Sequence, residues 1–339
     1  MWGMIKVTFL VLALMLGLGL GCSKSKKPEV VIYTSVDQVF SEPILKDYER
    51  ETGIRVKAVY DVEASKTVGL VNRLLAEKEN PRCDVFWNSE FGRTIFLKQK
   101  GVLAPYRSPS AKDIPIQFKD REGFWTGFAP RARVLVYNTG LLSEKDLPKS
   151  IFELTDPKWK GKVALGYPVL GTIATHMGAL YAALGKDKTE QYLRDLKNND
   201  VVIVNGNSVV RDMVVEGELP IGFTDTDDVN VAIQAGKPVN LLYPDQDGLG
   251  TLLIPNTVAL IKGGPHPEEG KKLVDYLLSR EVESKLAFSE SAQMPVRDGV
   301  KMPPHIPELS SIRAMDVDYY DIAENIRKSD RFCQDLFVK

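Results

Sequence analysis

The sequence predicts an α/β protein organised around an open sheet, and three observations carry that prediction. Short β-branched runs alternate with helical patterns along the chain, with no internal repeat and no long low-complexity stretch. The 339 residues are 44% hydrophobic and 26% charged, which is ordinary globular usage and enough for about two domains with real cores. Several runs end in a small polar cluster that opens the next helical pattern. In open α/β sheets the carboxyl ends of strands border the ligand crevice.

Taken in order, Val30–Thr34 reads as a buried strand, followed by a helix opening at Ser41-Glu42-Pro43 and stopping at Gly53, with Ile44, Leu45 and Tyr48 on one face. Arg55–Tyr60 is a second strand. Thr67–Lys78 places Leu70, Val71, Leu74 and Leu75 on one helical face, and Asp84–Trp87 is a third strand. Strands follow at Arg133–Tyr137, Val163–Leu165, Val201–Val204 and Ile221–Phe223. Helices are expected over Ile173–Leu184, Val209–Glu216 and Asp228–Ala235. Leu252–Ile261 is a further strand broken by Pro255, Glu268–Phe288 carries helical patterning, and Asp316–Ser329 is an amphipathic tail.

The polar clusters are Ser35-Val36-Asp37-Gln38, Gly171-Thr172, Asn205-Gly206-Asn207-Ser208 and Thr224-Asp225-Thr226-Asp227-Asp228. Ser, Asp and Asn are preferred N-caps, so capping alone explains any single cluster. Four of them in one chain point to a shared cleft, where helix N-termini offer N–H groups and partial positive charge.

The first residues set the compartment. Val7–Gly21 is apolar or glycine apart from Thr8, with Lys6 just before it, and the run is short for a membrane span. It ends Leu18-Gly19-Leu20-Gly21-Cys22, followed by the polar Ser23–Lys27. This layout resembles a bacterial lipoprotein signal, although Gly19 stands where an aliphatic residue is usual. The expectation is a signal peptide over 1–21, a tether over 22–28, and a protein lipid-anchored at Cys22 on the periplasmic face of the envelope. Cys83 and Cys333 are the remaining cysteines, and nothing in their spacing decides whether they pair.

Charge and motifs exclude whole classes. Lys plus Arg (44) nearly equals Asp plus Glu (45), for a net charge of −1, whereas nucleic-acid binding needs a basic surface. G-x-S-x-G, H-E-x-x-H and the phosphate-binding G-x-x-x-x-G-K-[ST] are absent. Of three histidines, His266 and His305 sit in Pro-rich stretches and His176 lies in an apolar helix. A hydrolase of unknown type, the alternative from another class, would have to rest on His176. Asp245-Gln246-Asp247-Gly248 lacks the remaining ligands of a calcium loop and reads as a turn.

Several motifs come in a telling order: Val31–Ser35, Phe40–Gly53, Asp84-Val85-Phe86-Trp87-Asn88-Ser89-Glu90, Gly127–Asn138 and Leu154–Lys162. In this the chain resembles the ferric-ion-binding-like branch of extracellular solute-binding proteins of ABC importers. The resemblance covers nearly all of the chain after the signal. It implies a two-lobed periplasmic-binding-protein fold, type II-like, with ligand held between lobes. The first lobe would hold 29–129 plus about 255–295, and the second 130–254 plus about 300–339. It also implies a non-enzymatic monomer working with ABC permease and ATPase subunits.

Iron members of that branch use adjacent second-lobe tyrosines, a first-lobe acid or His, and an anion held by arginine. Glu90 and the Arg131/Arg133 pair match that pattern, and the arginines alternate along a strand and so share a face. The tyrosine pair does not match: Thr224-Asp225-Thr226-Asp227-Asp228 stands in its place, Tyr319-Tyr320 lies in the tail, and Asp37 replaces the usual His. Two ligand classes stay open. One is Fe(III) or another hard cation on Glu90, Asp225 and Asp227, with a synergistic anion on Arg131. The other is a small organic anion or zwitterion, its negative end on Arg131 and on helix N-termini at Ser35, Thr172, Asn207 and Ser208, its hydroxyl or amino groups on Asp225 or Asp227. Asp37 and Thr224 complete the expected ligand set.

Overall fold

The structure, a computed structural model, describes residues 27–61 and 67–337. The expected signal peptide, Cys22 and most of the tether lie outside the described residues. No described helix is long and apolar enough to cross a membrane.

In chain order the elements are β1 (Glu29–Thr34), α1 (Gln38–Thr52), β2 (Arg55–Tyr60), α2 (Val68–Ala76), β3 (Val85–Asn88), α3 (Gly92–Gln99), β4 (Leu103–Ala104) and β5 (Thr126–Asn138). Then come β6 (Val163–Gly166), α4 (Gly171–Leu184), α5 (Lys186–Asn198), β7 (Val202–Val204), α6 (Asn207–Val215), β8 (Ile221–Asp225), α7 (Thr226–Gln234) and β9 (Val239–Leu242). The chain closes with β10 (Leu253–Ile261), α8 (Pro267–Leu277), α9 (Arg280–Phe288) and α10 (Tyr319–Phe337).

The strands run in the order β2-β1-β3-β10-β5-β8-β6-β7. β2, β1 and β3 pair in parallel at one end, and β8, β6 and β7 at the other. Two long antiparallel strands in the middle join these halves. β5 pairs with β10 through Thr126–Ala132 and with β8 from Arg133 onward. β5 therefore belongs to both halves, and its residues near Arg131 and Arg133 sit where they meet. The cores follow the period-2 pleat: on β3, Val85 and Trp87 pack with Val30, Ile32, Phe128 and Leu273, whereas Phe86 packs with Phe91, Ile95 and Leu103 on the opposite face.

The differences from the expected elements have local causes. α1 begins at Gln38, three residues earlier than expected, and carries Pro43 inside. Ser279 divides the expected Glu268–Phe288 helix in two, because its hydroxyl accepts from Val282 N at 3.2 Å and caps α9. Pro255 does not break β10; the pairing with β5 shifts register between Ile254 and Asn256, which absorbs the missing N–H. α3, α5, β4 and β9 were not expected. α5 shows only a narrow buried stripe of Thr189, Tyr192, Leu193 and Leu196 in a strongly polar segment, and α3 opens on Gly92 without a side-chain cap. Cys83 and Cys333 are both free and buried, and burial raises both thiols, Cys333 to about 12.

Candidate functional site

The centre of the site is dictated by strand register. Arg131 and Arg133 alternate along β5, so they project from one face, and Arg133 lies opposite Asp225, the last residue of β8. Arg133 is fully buried. Its Nη1 donates to Asp225 Oδ1 at 2.7 Å, to Asn207 Oδ1 at 3.1 Å and to Thr172 Oγ1 at 3.4 Å. Its guanidinium also lies over the Phe223 ring, 4.4 Å from the centroid. The other Asp225 oxygen accepts from Thr172 Oγ1 at 2.6 Å and Asn207 Nδ2 at 2.9 Å. Burial pushes the Asp225 carboxyl up, but Arg133 and Arg131 outweigh it and hold the group below its ordinary value.

Arg131, on the same face of β5, reaches toward the other half of the molecule. Its Nη1 pairs with Asp227 Oδ2 at 3.3 Å and lies 3.9 Å from Asp225 Oδ2, and its Nη2 donates to the Ser89 carbonyl in the opposite half of the molecule. Burial disfavours its charge, yet Asp227, Asp225 and Asp37 together keep the guanidinium firmly protonated. Its Nε is buried with no hydrogen-bond partner.

Around Arg131 lies a narrow cleft lined by Asp37, Ser89, Thr172, Asn207, Asp225, Asp227 and Asp228 among others. The polar clusters border it as expected, since α1, α4, α6 and α7 all start within or beside them. None of these four helices has a side-chain N-cap bond. Capping therefore does not account for the clusters. Thr172, Asn207 and Asp225 are instead spent on one another and on Arg133.

The expected ligand residues divide. Asp37, Arg131, Thr172, Asn207, Asp225 and Asp227 line the cleft. Arg133 stands behind Asp225 and positions it. Ser35 is buried beside the cleft floor, where its hydroxyl donates to Asn88 Oδ1 at 2.6 Å and accepts from Ser89 N at 2.9 Å. Thr224 is buried, donating to the Asn207 carbonyl at 3.2 Å, and Ser208 is a half-buried residue of α6 outside the cleft lining.

Glu90 departs from its expected role as a metal ligand. Among the described residues, the group of three carboxylates whose oxygens all lie within 4.8 Å of one another is Asp225, Asp227 and Asp228, and Glu90 is not part of it. Glu90 is fully buried and occupied by the N–H groups of Gly92 and Arg93 at the start of α3, by Asn88 Nδ2 at 3.1 Å and by Thr175 Oγ1 at 2.9 Å. A carboxylate with four donors anchors a helix N-terminus. Sequence reasoning missed Asn88, because α3, whose start it braces through Glu90, has no legible beginning, and Thr175, which sits inside the apolar α4.

His176 carries no chemistry. It is buried, edge-on to Phe223 at 4.8 Å, with both ring nitrogens unpartnered, and burial followed by the Arg133 charge holds it neutral, well below the ordinary histidine range. Asp245 ties a turn, with Ile151 N donating to it at 3.3 Å. Tyr319 stacks on Phe91 at 4.0 Å and Tyr320 bonds Lys98, so neither reaches the cleft.

Comparison with known proteins agrees with this architecture. The family profile for bacterial extracellular solute-binding proteins matches residues 82–322. Iron uptake protein A1 of Synechocystis is 25% identical over 287 residues, covering 82% of this chain and 78% of its own. A putative 2-aminoethylphosphonate-binding periplasmic protein of Salmonella typhimurium is 29% identical over 258 residues, covering 75% of this chain and 73% of its own. Among solved structures, iron-bound HitA from Pseudomonas aeruginosa superimposes with a TM-score of 0.81 at 24% identity, covering 90% of this chain and 99% of that one. AfuA from Actinobacillus pleuropneumoniae, with fructose-6-phosphate bound, gives 0.81 at 22% identity, covering 92% and 99%. Both show the same two-lobed fold.

Proposed function

Because the chain belongs to the bacterial extracellular solute-binding proteins, which are transport proteins and not enzymes, we propose that its cleft captures a small zwitterionic or anionic solute for an ABC permease and its ATPase. The observation that carries this reading is Arg131. It lines the cleft, keeps an unpartnered Nε, and stands among helix N-termini on one side and Asp37, Asp227 and Asp228 on the other. An anionic group of the solute, carboxylate or phosphonate, takes Arg131 and the start of α4, where Arg binds in bidentate fashion. The carboxylates take its ammonium or hydroxyl groups. A relative named for 2-aminoethylphosphonate, which carries both kinds of group, fits this division.

In the lobe division we propose, the first lobe holds 29–129 plus about 255–295 and the second 130–254 plus about 300–339. The solute then favours the closed arrangement by its differential affinity. The signal and Cys22 support export and lipid anchoring on the periplasmic face, with the chain working as a monomer.

The grouping of Asp225, Asp227 and Asp228 favours a second reading, a hard cation as cargo, and several relatives are named for iron. Two guanidiniums already neutralise two of those carboxylates, which sets the zwitterion ahead. A thermal-shift series on the chain from Ser23 separates the readings. A solute at about a hundredfold over Kd stabilises by about 2.7 kcal/mol. The expected result is a shift with 2-aminoethylphosphonate or a related phosphorylated zwitterion that Arg131→Ala abolishes. A shift confined to Fe(III) with citrate or carbonate, lost in Asp228→Asn and retained in Arg131→Ala, overturns it.

A further inference from the structure

α10 touches both halves of the molecule at once. Near its start, Tyr319 stacks on Phe91 and Tyr320 accepts from Lys98 Nζ at 3.1 Å, both partners belonging to the half that carries β1 to β3. Near its end, Arg194 of α5 lies over the Phe332 ring at 4.9 Å and Lys197 donates to the Leu336 carbonyl at 2.5 Å, both in the half that carries β6 to β8. Between these anchors sits Ile326. A Cβ added to Gly92, the first residue of α3, would lie 2.2 Å from Ile326 Cδ1, and one added to Gly178, in the middle of α4, would lie 2.7 Å from Ile326 Cγ1. One side chain thus fills two glycine notches on opposite sides of the division. One turn further along α10, Asp330 pairs with Arg93 of α3 at 3.0 Å, and the same Arg93 reaches the Val169 carbonyl, two residues before α4, at 3.4 Å.

We propose that α10 is a strap across the two lobes and that Ile326, seated between Gly92 and Gly178, sets how far the ligand cleft opens. This rests on the two-lobe reading above. α3 and α4 are helices whose N-terminal ends border the cleft, through Ser89 just before α3 on one side and Gly171 and Thr172 on the other, and buried Glu90 ties the two starts together by accepting from Arg93 N and Thr175 Oγ1. Separating them requires Ile326 to leave one notch and Arg93 to release Asp330. Because packed interfaces are bistable rather than continuously deformable, opening proceeds to the point where that knob unseats. The strap limits the width of the open state, and with it the size of solute admitted.

The test uses the chain from Ser23 with nitroxide labels at Val39→Cys and Ile233→Cys, exposed positions on α1 and α7. The native Cys83 and Cys333 are buried. Inter-label distances are measured by double electron–electron resonance without solute, in the parent and in Ile326→Ala, Asp330→Asn and Phe337→Ala. Phe337→Ala is the control, an apolar truncation at the end of the same helix that is in neither notch and makes neither anchor contact. A shift to longer distances in Ile326→Ala and Asp330→Asn, with Phe337→Ala like the parent, is the expected result. Distances in Ile326→Ala equal to the parent, or equal shifts in Ile326→Ala and Phe337→Ala, overturn the proposal. The two-lobe reading fails separately, if 2-aminoethylphosphonate or Fe(III)-citrate shifts melting of the parent while leaving its inter-label distance unchanged.

Discussion

Arg131→Ala and Arg133→Ala separate binding from folding, although the two side chains are one pleat apart. Arg133 compensates the buried Asp225 carboxylate. Removing it leaves that charge with Asn207, Thr172 and a distant Arg131, and should destabilise the fold by about 3–5 kcal/mol in denaturant unfolding. Arg131 faces the cleft, so its loss should weaken solute binding by about 2–5 kcal/mol in calorimetry while the chain still folds. His176 supplies a third residue-level outcome. Its pKa is depressed in the folded state, so the unfolded chain binds the extra proton as pH falls below the ordinary histidine value, and stability is lost in that direction. His176→Leu removes that slope and the burden of two unpartnered buried nitrogens, and should be the more stable protein at pH 5 by about 1–3 kcal/mol. Thr172, Asn207, Asp225 and Asp227 were legible because they stand at strand ends and helix starts, where an open sheet has its crevice, and Arg131, in the middle of β5, was legible only through the Gly127–Asn138 motif and its alternation with Arg133. Glu90 was misread because its partners are backbone N–H groups of a helix that residue patterning does not announce, and Thr175 was missed because a threonine inside an apolar helix carries no signal of its partner.

Helix and strand patterning shows the same boundary between what is local and what is tertiary. Strands with β-branched runs, and helices with wide apolar faces, were readable from spacing alone. α5 was not, since its polar segment forms a helix only because a narrow stripe docks on α4 and the segment around Ile151–Thr155. The close fit of α10 on α4 was likewise invisible, because it depends on Gly178 having no side chain. Gly178→Ala places a Cβ 2.7 Å from Ile326 and 2.8 Å from the Ile322 carbonyl, backbone that cannot yield, and should cost about 1–3 kcal/mol in thermal unfolding. The contact of α10 with α3 is also sensitive to pH. Burial pushes Asp330 up to about 6, partly opposed by Arg93 and reinforced by Glu90, with Cys333 and Tyr167 also beside it. A raised carboxyl binds its proton in the folded state first, so its stabilisation is complete below about pH 4 and is lost as pH climbs through 6, to a limit of about 3 kcal/mol. Asp330→Asn should flatten that part of the stability profile, and a profile as steep as the parent's would assign the slope to another group.

At the scale of the whole molecule, three contacts join the two sides of the cleft: Arg131 to the Ser89 carbonyl, Thr175 to Glu90, and Arg93 to the Val169 carbonyl. Each is lost when the sides separate, so each favours the closed arrangement, and solute affinity is scaled by the fraction of molecules already competent. Thr175→Val removes one such bond from a site remote from the solute. Glu90 keeps the N–H groups of Gly92 and Arg93 and the Asn88 amide, so the start of α3 stays anchored. A single net hydrogen bond is worth about 1 kcal/mol, which is about a fivefold change in the ratio of closed to open. The variant should therefore have a larger ligand-free radius of gyration by solution scattering and a solute affinity reduced by up to about fivefold, with the liganded radius unchanged. Affinity and ligand-free radius both equal to the parent's would mean that the crossing contacts do not bias closure, and that the solute alone supplies the free energy that shuts the cleft.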